Sequence, residues 1–180
     1  MKKLLRGLVA TALMGVFLGH ADAIDKVMVT SFKRPGDIKN VNVGNADGGV
    51  PSKNDETVHY ELRMQNQTIG NLEKLNVDYV VFVQRQKLGE PISTPSRIDR
   101  VSGTQAIELL NNREPQSVTT TDFTLHKGAL GGGWTYNNGG RLKAEDSVVG
   151  VWVKVSQNGQ LIAEYANPSS CKSRGWDKAK

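Results

Sequence analysis

Apolar and polar residues alternate with a period of two along much of this chain. The clearest segments are Leu75–Gln84 and Ser147–Val155, where valine and aromatic residues recur at every second position. Alternate residues of a strand lie on the same face of a sheet, so both segments predict strands. In the first segment Val80 and Phe82 add apolar residues to the second face, which predicts a central strand.

The best-defined local feature is the Asn158-Gly159 pair, which separates Val148–Gln157 from Gln160–Ala166. Asn-Gly tolerates the two positive φ angles of a type I′ turn, so it predicts a tight C-terminal hairpin. In its second strand, Leu161, Ala163 and Tyr165 are expected to share a face. Weaker alternation predicts strands at Asp25–Phe32, Thr57–Met64 and Ser117–Leu125, and a short edge strand at Arg97–Val101.

About seven short strands and no amphipathic helix beyond the N-terminal segment predict an all-β fold, an immunoglobulin-like antiparallel β-sandwich over residues 24–167. The segment Gln105–Asn112 fits either a strand or one helical turn. Asn40–Asp55 is polar and glycine-rich, which predicts a mobile connection. Residues 168–180 predict a polar, poorly ordered C-terminal tail.

Residues 1–23 have the three parts of a cleaved signal helix. Lys2, Lys3 and Arg6 precede an apolar run that is too short to span a membrane, and Ala21-Asp22-Ala23 supplies small residues at a cleavage site. We therefore expect a mature chain that starts near Ile24 and works in the periplasm or at the cell surface. No second apolar stretch predicts an integral membrane segment.

Charge and chemistry-bearing residues exclude several classes of function. The signal holds 3 of the 23 basic residues and 1 of the 18 acidic ones, which leaves the mature chain at +3, without the basic patch that nucleic-acid binding needs. His59 and His126 lack metal-ligand spacing, so neither a metal site nor a cofactor is expected. No nucleophile motif is present, and the sequence predicts no enzymatic activity.

Cys171 is the single cysteine, so an intramolecular disulfide is excluded. An odd cysteine in an exported protein indicates either an intermolecular disulfide or a free thiol.

The glycine-rich loop Gly128–Gly140 contains Trp134 and Tyr136 among its six glycines. Aromatic residues with polar tips are common at binding sites, so the two rings are candidate binding residues for a protein or a glycan. The alternative is that Trp134 closes one end of the sandwich as a core residue.

The signal, the VHYELRM strand at 58–64, the VDYVVFV strand at 77–83 and the closing hairpin resemble exported bacterial immunoglobulin-like β-sandwich proteins. Some of these are linked to type IV pilus-related surface machinery. The resemblance implies non-enzymatic protein–protein interaction at the cell envelope, pilus-associated or adhesive, with envelope or surface proteins as partners. It carries over no functional residue. The alternative is a carbohydrate-binding module that uses Trp134 and Tyr136.

Overall fold

A computed structural model describes residues 25–42, 52–131 and 135–176. The predicted signal helix and cleavage site lie outside these residues. The described chain forms two antiparallel sheets, and none of its helices is long and apolar enough to cross a membrane. Its elements, in chain order, are β1 Val27–Asn42, β2 Ser52–Asn66, β3 Leu72–Arg85, β4 Arg97–Leu110, β5 Gln116–Thr119, β6 Phe123–Ala129, β7 Lys143–Glu145, β8 Ser147–Gln157, β9 Gln160–Asn167 and a C-terminal 3-10 helix, Ser169–Arg174.

The two antiparallel sheets form a sandwich. The first sheet runs β1-β2-β6-β7, with β5 also paired to β2, and the second runs β4-β3-β8-β9. The β2–β3, β4–β5 and β7–β8 connections cross between the sheets. The predicted all-β sandwich is confirmed.

The described chain has nine strands where about seven were predicted, and the difference has local causes. The predicted strand Ser117–Leu125 is divided into β5 and β6, which pair with successive parts of β2. Between them Thr120 exchanges hydrogen bonds with Tyr60, and Thr121 donates its amide to the Tyr79 hydroxyl at 2.7 Å. β7 is a short additional strand beside β6.

The predicted extent of two segments was wrong. Arg97–Val101 and residues 105–110 of the ambiguous Gln105–Asn112 belong to one strand, β4, so the helical alternative was wrong. The polar connection Asn40–Asp55 is also smaller than predicted, because β1 continues to Asn42 and β2 begins at Ser52. Past Pro35, which has no N–H to donate, β1 shifts register and then continues to pair with β2.

The core lies between the sheets and follows the predicted alternation. Every second residue of β3 from Leu75 to Val83 is buried there, opposite Val58, Leu62 and Met64 of β2. The C-terminal hairpin is confirmed as well. Asn158 and Gly159 have φ angles of 51° and 79°, and Gln157 pairs with Gln160.

One strand face differs from the prediction. β9 shifts register against β8 between Val155 and Ser156, and Ile162 has no partner in that ladder. This bulge places both Ile162 and Ala163 in the core and leaves Leu161 43% exposed. The prediction that Leu161, Ala163 and Tyr165 share a face is therefore wrong for Leu161.

The C-terminal segment is ordered in its described part, contrary to the predicted poorly ordered tail. Its 3-10 helix packs on the outer face of the second sheet, where Cys171 is 1% exposed. Trp176 meets Trp152 edge-on, with ring centroids 4.8 Å apart. Gly150 makes this packing possible, because a Cβ there would lie 2.5 Å from the Cβ of Cys171. Trp152 thus belongs to a second apolar cluster and not to the core between the sheets.

Polar contacts also attach the C-terminal segment to the second sheet. The indole N–H of Trp152 donates to Glu164 at 2.8 Å, and the ammonium group of Lys172 contacts the other oxygen of that carboxylate at 2.6 Å. Burial by itself raises the pKa of Glu164, but the hydrogen bonds from Lys172 and Trp152 outweigh it and leave the pKa below its ordinary value.

Candidate interaction site

The loop that carries Tyr136 is tied to a second loop at one end of the sandwich. Gly89 donates its amide to the carbonyl of Arg141 at 3.1 Å, and Arg141 donates back to the carbonyl of Glu90 at 2.8 Å. The Arg141 guanidinium also donates to the carbonyls of Ile92 and Thr94. The glycine-rich loop is therefore held by a backbone pairing that its composition does not reveal.

Tyr136 is half-buried, and its ring lies against Gly89. Gly89 has a φ of 79°, and Gly140 lies so close that a Cβ there would be 2.5 Å from the carbonyl oxygen of Gly89. Gly89 and Gly140 allow the two loops to pack closely, and one face of the Tyr136 ring packs against Gly89. Trp134 lies outside the described residues, so its predicted roles as binding residue or core residue stay predictions.

His59 and His126 lie in separate contacts with aspartate side chains. His126 lies 2.7 Å from Asp55, and His59 lies 3.2 Å from Asp122. Within the described ranges, no group of three or more histidine, cysteine or acidic side chains is placed to hold a metal ion.

Cys171 is covered by its own helix and by β8. Its thiol contacts the carbonyl of Val151 at 3.6 Å, and burial raises the pKa of the thiol. This arrangement disfavours the intermolecular disulfide, because a partner's sulfur reaches Cys171 only if the 3-10 helix moves away.

Arg85 forms an ion pair with the buried carboxylate of Asp146, and sequence reasoning missed this contact. Asp146 joins β7 to β8 and so carries the chain from one sheet to the other. Its carboxylate accepts hydrogen bonds from the Arg85 guanidinium at 2.7 Å and from the amides of Gln86 and His126. Arg85 also donates to Asp99 at 3.0 Å, so the pair fixes the end of the sandwich next to β4. The adjacent acids Glu145-Asp146 had been interpreted only as a solvated strand end.

The outer edge of β4 is open to a partner. This strand has 14 residues and pairs with β3 in a single register that omits only Lys74 and Glu108, whereas no described strand pairs with its other edge. It contains no proline and no lysine, and its central stretch Val101–Ile107 has no charged residue. The sequence predicted an edge strand here, but only over Arg97–Val101.

Comparison with known proteins adds little to this geometry. No protein-family model matches the chain, and no curated protein matches it significantly. A solved crystal structure from Akkermansia muciniphila is similar at 11% identity, over 88% of this chain and 80% of that one, with a TM-score of 0.32. A likeness that remote carries no argument, so the fold assignment depends on the strand pairing, and the predicted bacterial family stays a prediction.

Proposed function

We propose that this protein is an exported, non-enzymatic interaction module of the bacterial cell envelope. It binds an extended segment of a partner protein by strand addition at the outer edge of β4. The observation that supports the proposal is the long, regular and centrally uncharged edge of that strand.

An open edge presents a row of backbone N–H and C=O groups that a second extended chain can pair with. Soluble proteins usually block such edges with lysine, proline, a bulge or a covering element. β4 has no proline, lysine or register shift along its pairing with β3. Its four charged residues lie toward the two ends, at Arg97, Asp99, Arg100 and Glu108. The centre of the strand is therefore suited to pairing.

The carbohydrate-binding alternative has less support. It needs an open aromatic surface, and the ring of Tyr136 packs on Gly89. Its other residue, Trp134, lies outside the described part of the chain.

Site-specific photo-crosslinking in the producing bacterium tests the proposal. A photoreactive residue at Glu108, exposed on β4, should give one abundant adduct with an envelope protein. The same residue at Gln65, exposed on the central strand β2, should not.

The adduct at position 108 should disappear in Ala106→Lys, because a lysine on an edge strand opposes pairing. It should persist in Asn76→Lys, which adds the same charge to the neighbouring position of the central strand β3. Equal adducts in both lysine variants, or an adduct only at Gln65, would show that β4 is not the binding edge. An adduct of twice the chain's mass would identify the partner as a second copy.

A further inference from the structure

β4 and β5 face each other from opposite sheets along one side of the sandwich. The side-chain amide of Gln105 in β4 donates to the carbonyl of Thr119 in β5 at 3.4 Å, which links the two strands. Among the described strands, β4 pairs only with β3, and β5 pairs only with β2. A strand added to the outer edge of β4 would therefore extend the second sheet alongside β5.

The core is less completely covered along this side than elsewhere. Val101 of β4 and Val118 of β5 pack against the core between the sheets, yet both are only partly buried. Farther along β4, Ile107 and Leu110 are 1% and 0% exposed, and the chain crosses to β5 directly after them. The crossing closes one end of this side, whereas Val101 and Val118 form a partly exposed core rim.

The two faces of the β4 edge differ in chemistry. Val101 lies opposite Val81 of β3, a core residue that is 0% exposed. Val118 lies opposite Leu62 of β2, which is also 0% exposed. Residues directly opposite each other on paired strands share a face, so both valines point between the sheets. The outward face of β4 carries small or polar side chains over the same stretch, at Ser102, Thr104 and Ala106.

We infer that the segment that pairs with β4 is amphipathic, with an apolar side chain at every second residue turned inward toward the core rim. The inference depends on the proposed strand addition and specifies the chemistry of the partner. An added strand continues the pleat of the sheet, so its alternate residues face the core and the solvent. Apolar residues on the inward face remove the exposed parts of Val101 and Val118 from water, which favours binding.

Two synthetic peptides of the same composition and the mature chain test this inference. Each peptide has four valines and four serines and spans about 27 Å as a strand, enough for the stretch Val101–Ile107. The first alternates serine and valine, so all its valines lie on one face. In the second the valines stand in adjacent pairs, so each face carries two of them. Binding is measured by fluorescence anisotropy, below the concentration at which either peptide associates with itself.

The alternating peptide should bind about fivefold more tightly than the paired one, because it buries more apolar surface against the core rim. Val101→Thr and Val118→Thr each replace a methyl group with a hydroxyl and should remove most of this preference. Val148→Thr should keep it. Val148 is also partly buried and packs against the same core, but it lies on β8, and β3 separates β8 from β4. Thermal melts check that the variants are folded, and either rim variant suffices if the other does not fold.

The failures are distinguishable. Equal affinity for both peptides, lost in Ala106→Lys, would refute the amphipathic segment and leave strand addition intact. A preference for the alternating peptide that Ala106→Lys leaves unchanged would refute strand addition and leave an apolar site. Sedimentation of the mature chain as a dimer that Ala106→Lys dissociates would place a second copy on the edge and overturn the inferred partner segment. Binding of neither peptide at millimolar concentration would overturn both proposals.

Discussion

The two edges of the second sheet are treated differently. At the β9 edge, the bulge at Ile162 turns a carbonyl toward the first sheet, where it accepts the amide of Lys26 at 3.0 Å. Nearby, the hydroxyls of Ser31 and Tyr165 are 3.1 Å apart. At the β4 edge, the described chain supplies no such partner. One edge is built into the sandwich, and the other is left open.

At the β9 edge, the protein itself supplies contacts to the outer strand of the second sheet. β9 has 8 residues and a bulge, and the amide of Lys26, just before β1, donates a hydrogen bond to it. β4 has 14 residues in a single register with β3, and its charged residues lie outside the central stretch Val101–Ile107. A long regular edge is an aggregation hazard unless something else pairs with it. The contrast supports our proposal that a partner segment covers β4.

The largest expected effect tests the closed edge. Ile162→Ala removes a buried side chain at the bulge and should lower the free energy of unfolding by about 2–4 kcal/mol. Leu161→Ala, its exposed neighbour, should change it by less than about 1 kcal/mol. Urea denaturation followed by tryptophan fluorescence measures both. Similar losses in the two variants would show that the bulge does not divide core from solvent here.

A second prediction concerns the segment that covers the outer face next to β4. Gly150→Ala forces a methyl group against Cys171 and should cost about 1–3 kcal/mol. It should also speed the reaction of the Cys171 thiol with a maleimide, because the 3-10 helix must move. Gly70→Ala adds a methyl group to open space and serves as the control. A thiol that stays unreactive in a destabilised Gly150→Ala would show that the helix remains in place.

The third prediction isolates a polar contact of the closed edge. Tyr165→Phe removes the hydroxyl that meets Ser31, and the loss should be about 0.5–1.5 kcal/mol. Ser31→Ala in the same background should add little, because the pair is already broken. The double-mutant cycle is measured by thermal unfolding. Fully additive losses would contradict a direct contact between the two hydroxyls.

The smallest expected effect on stability is at the open edge. Ala106→Lys and Asn76→Lys should each change the free energy of unfolding by no more than about 0.5 kcal/mol, because both positions are exposed. Thermal melts of the two variants check this. A loss of more than 2 kcal/mol in Ala106→Lys alone would mean that the β4 edge is covered within the folded protein.

Sequence patterns among neighbouring residues predicted much of the fold. The alternation of Leu75–Gln84 and the Asn158-Gly159 turn depend on side-chain direction and backbone φ, which neighbouring residues decide. The candidate site was less accessible to such reasoning. β4 was divided in the sequence because Ser102, Gly103 and Thr104 interrupt its apolar pattern. Gly103 is nevertheless required there, because the Tyr79 side chain occupies the space where a Cβ would lie.

The sequence by itself determined an all-β chain, its central strands, its closing hairpin and the alternation that separates core from surface, since these depend on residues a few positions apart. Only the tertiary structure decided that Cys171 fills the space left by Gly150, that Gly89 packs against Gly140, and that no described strand pairs with the outer edge of β4 over its whole length. Each of these is a contact, or a missing neighbour, between segments far apart in the chain. Strand order decides such relations, and the period of a single strand contains no information about which strand lies beside it.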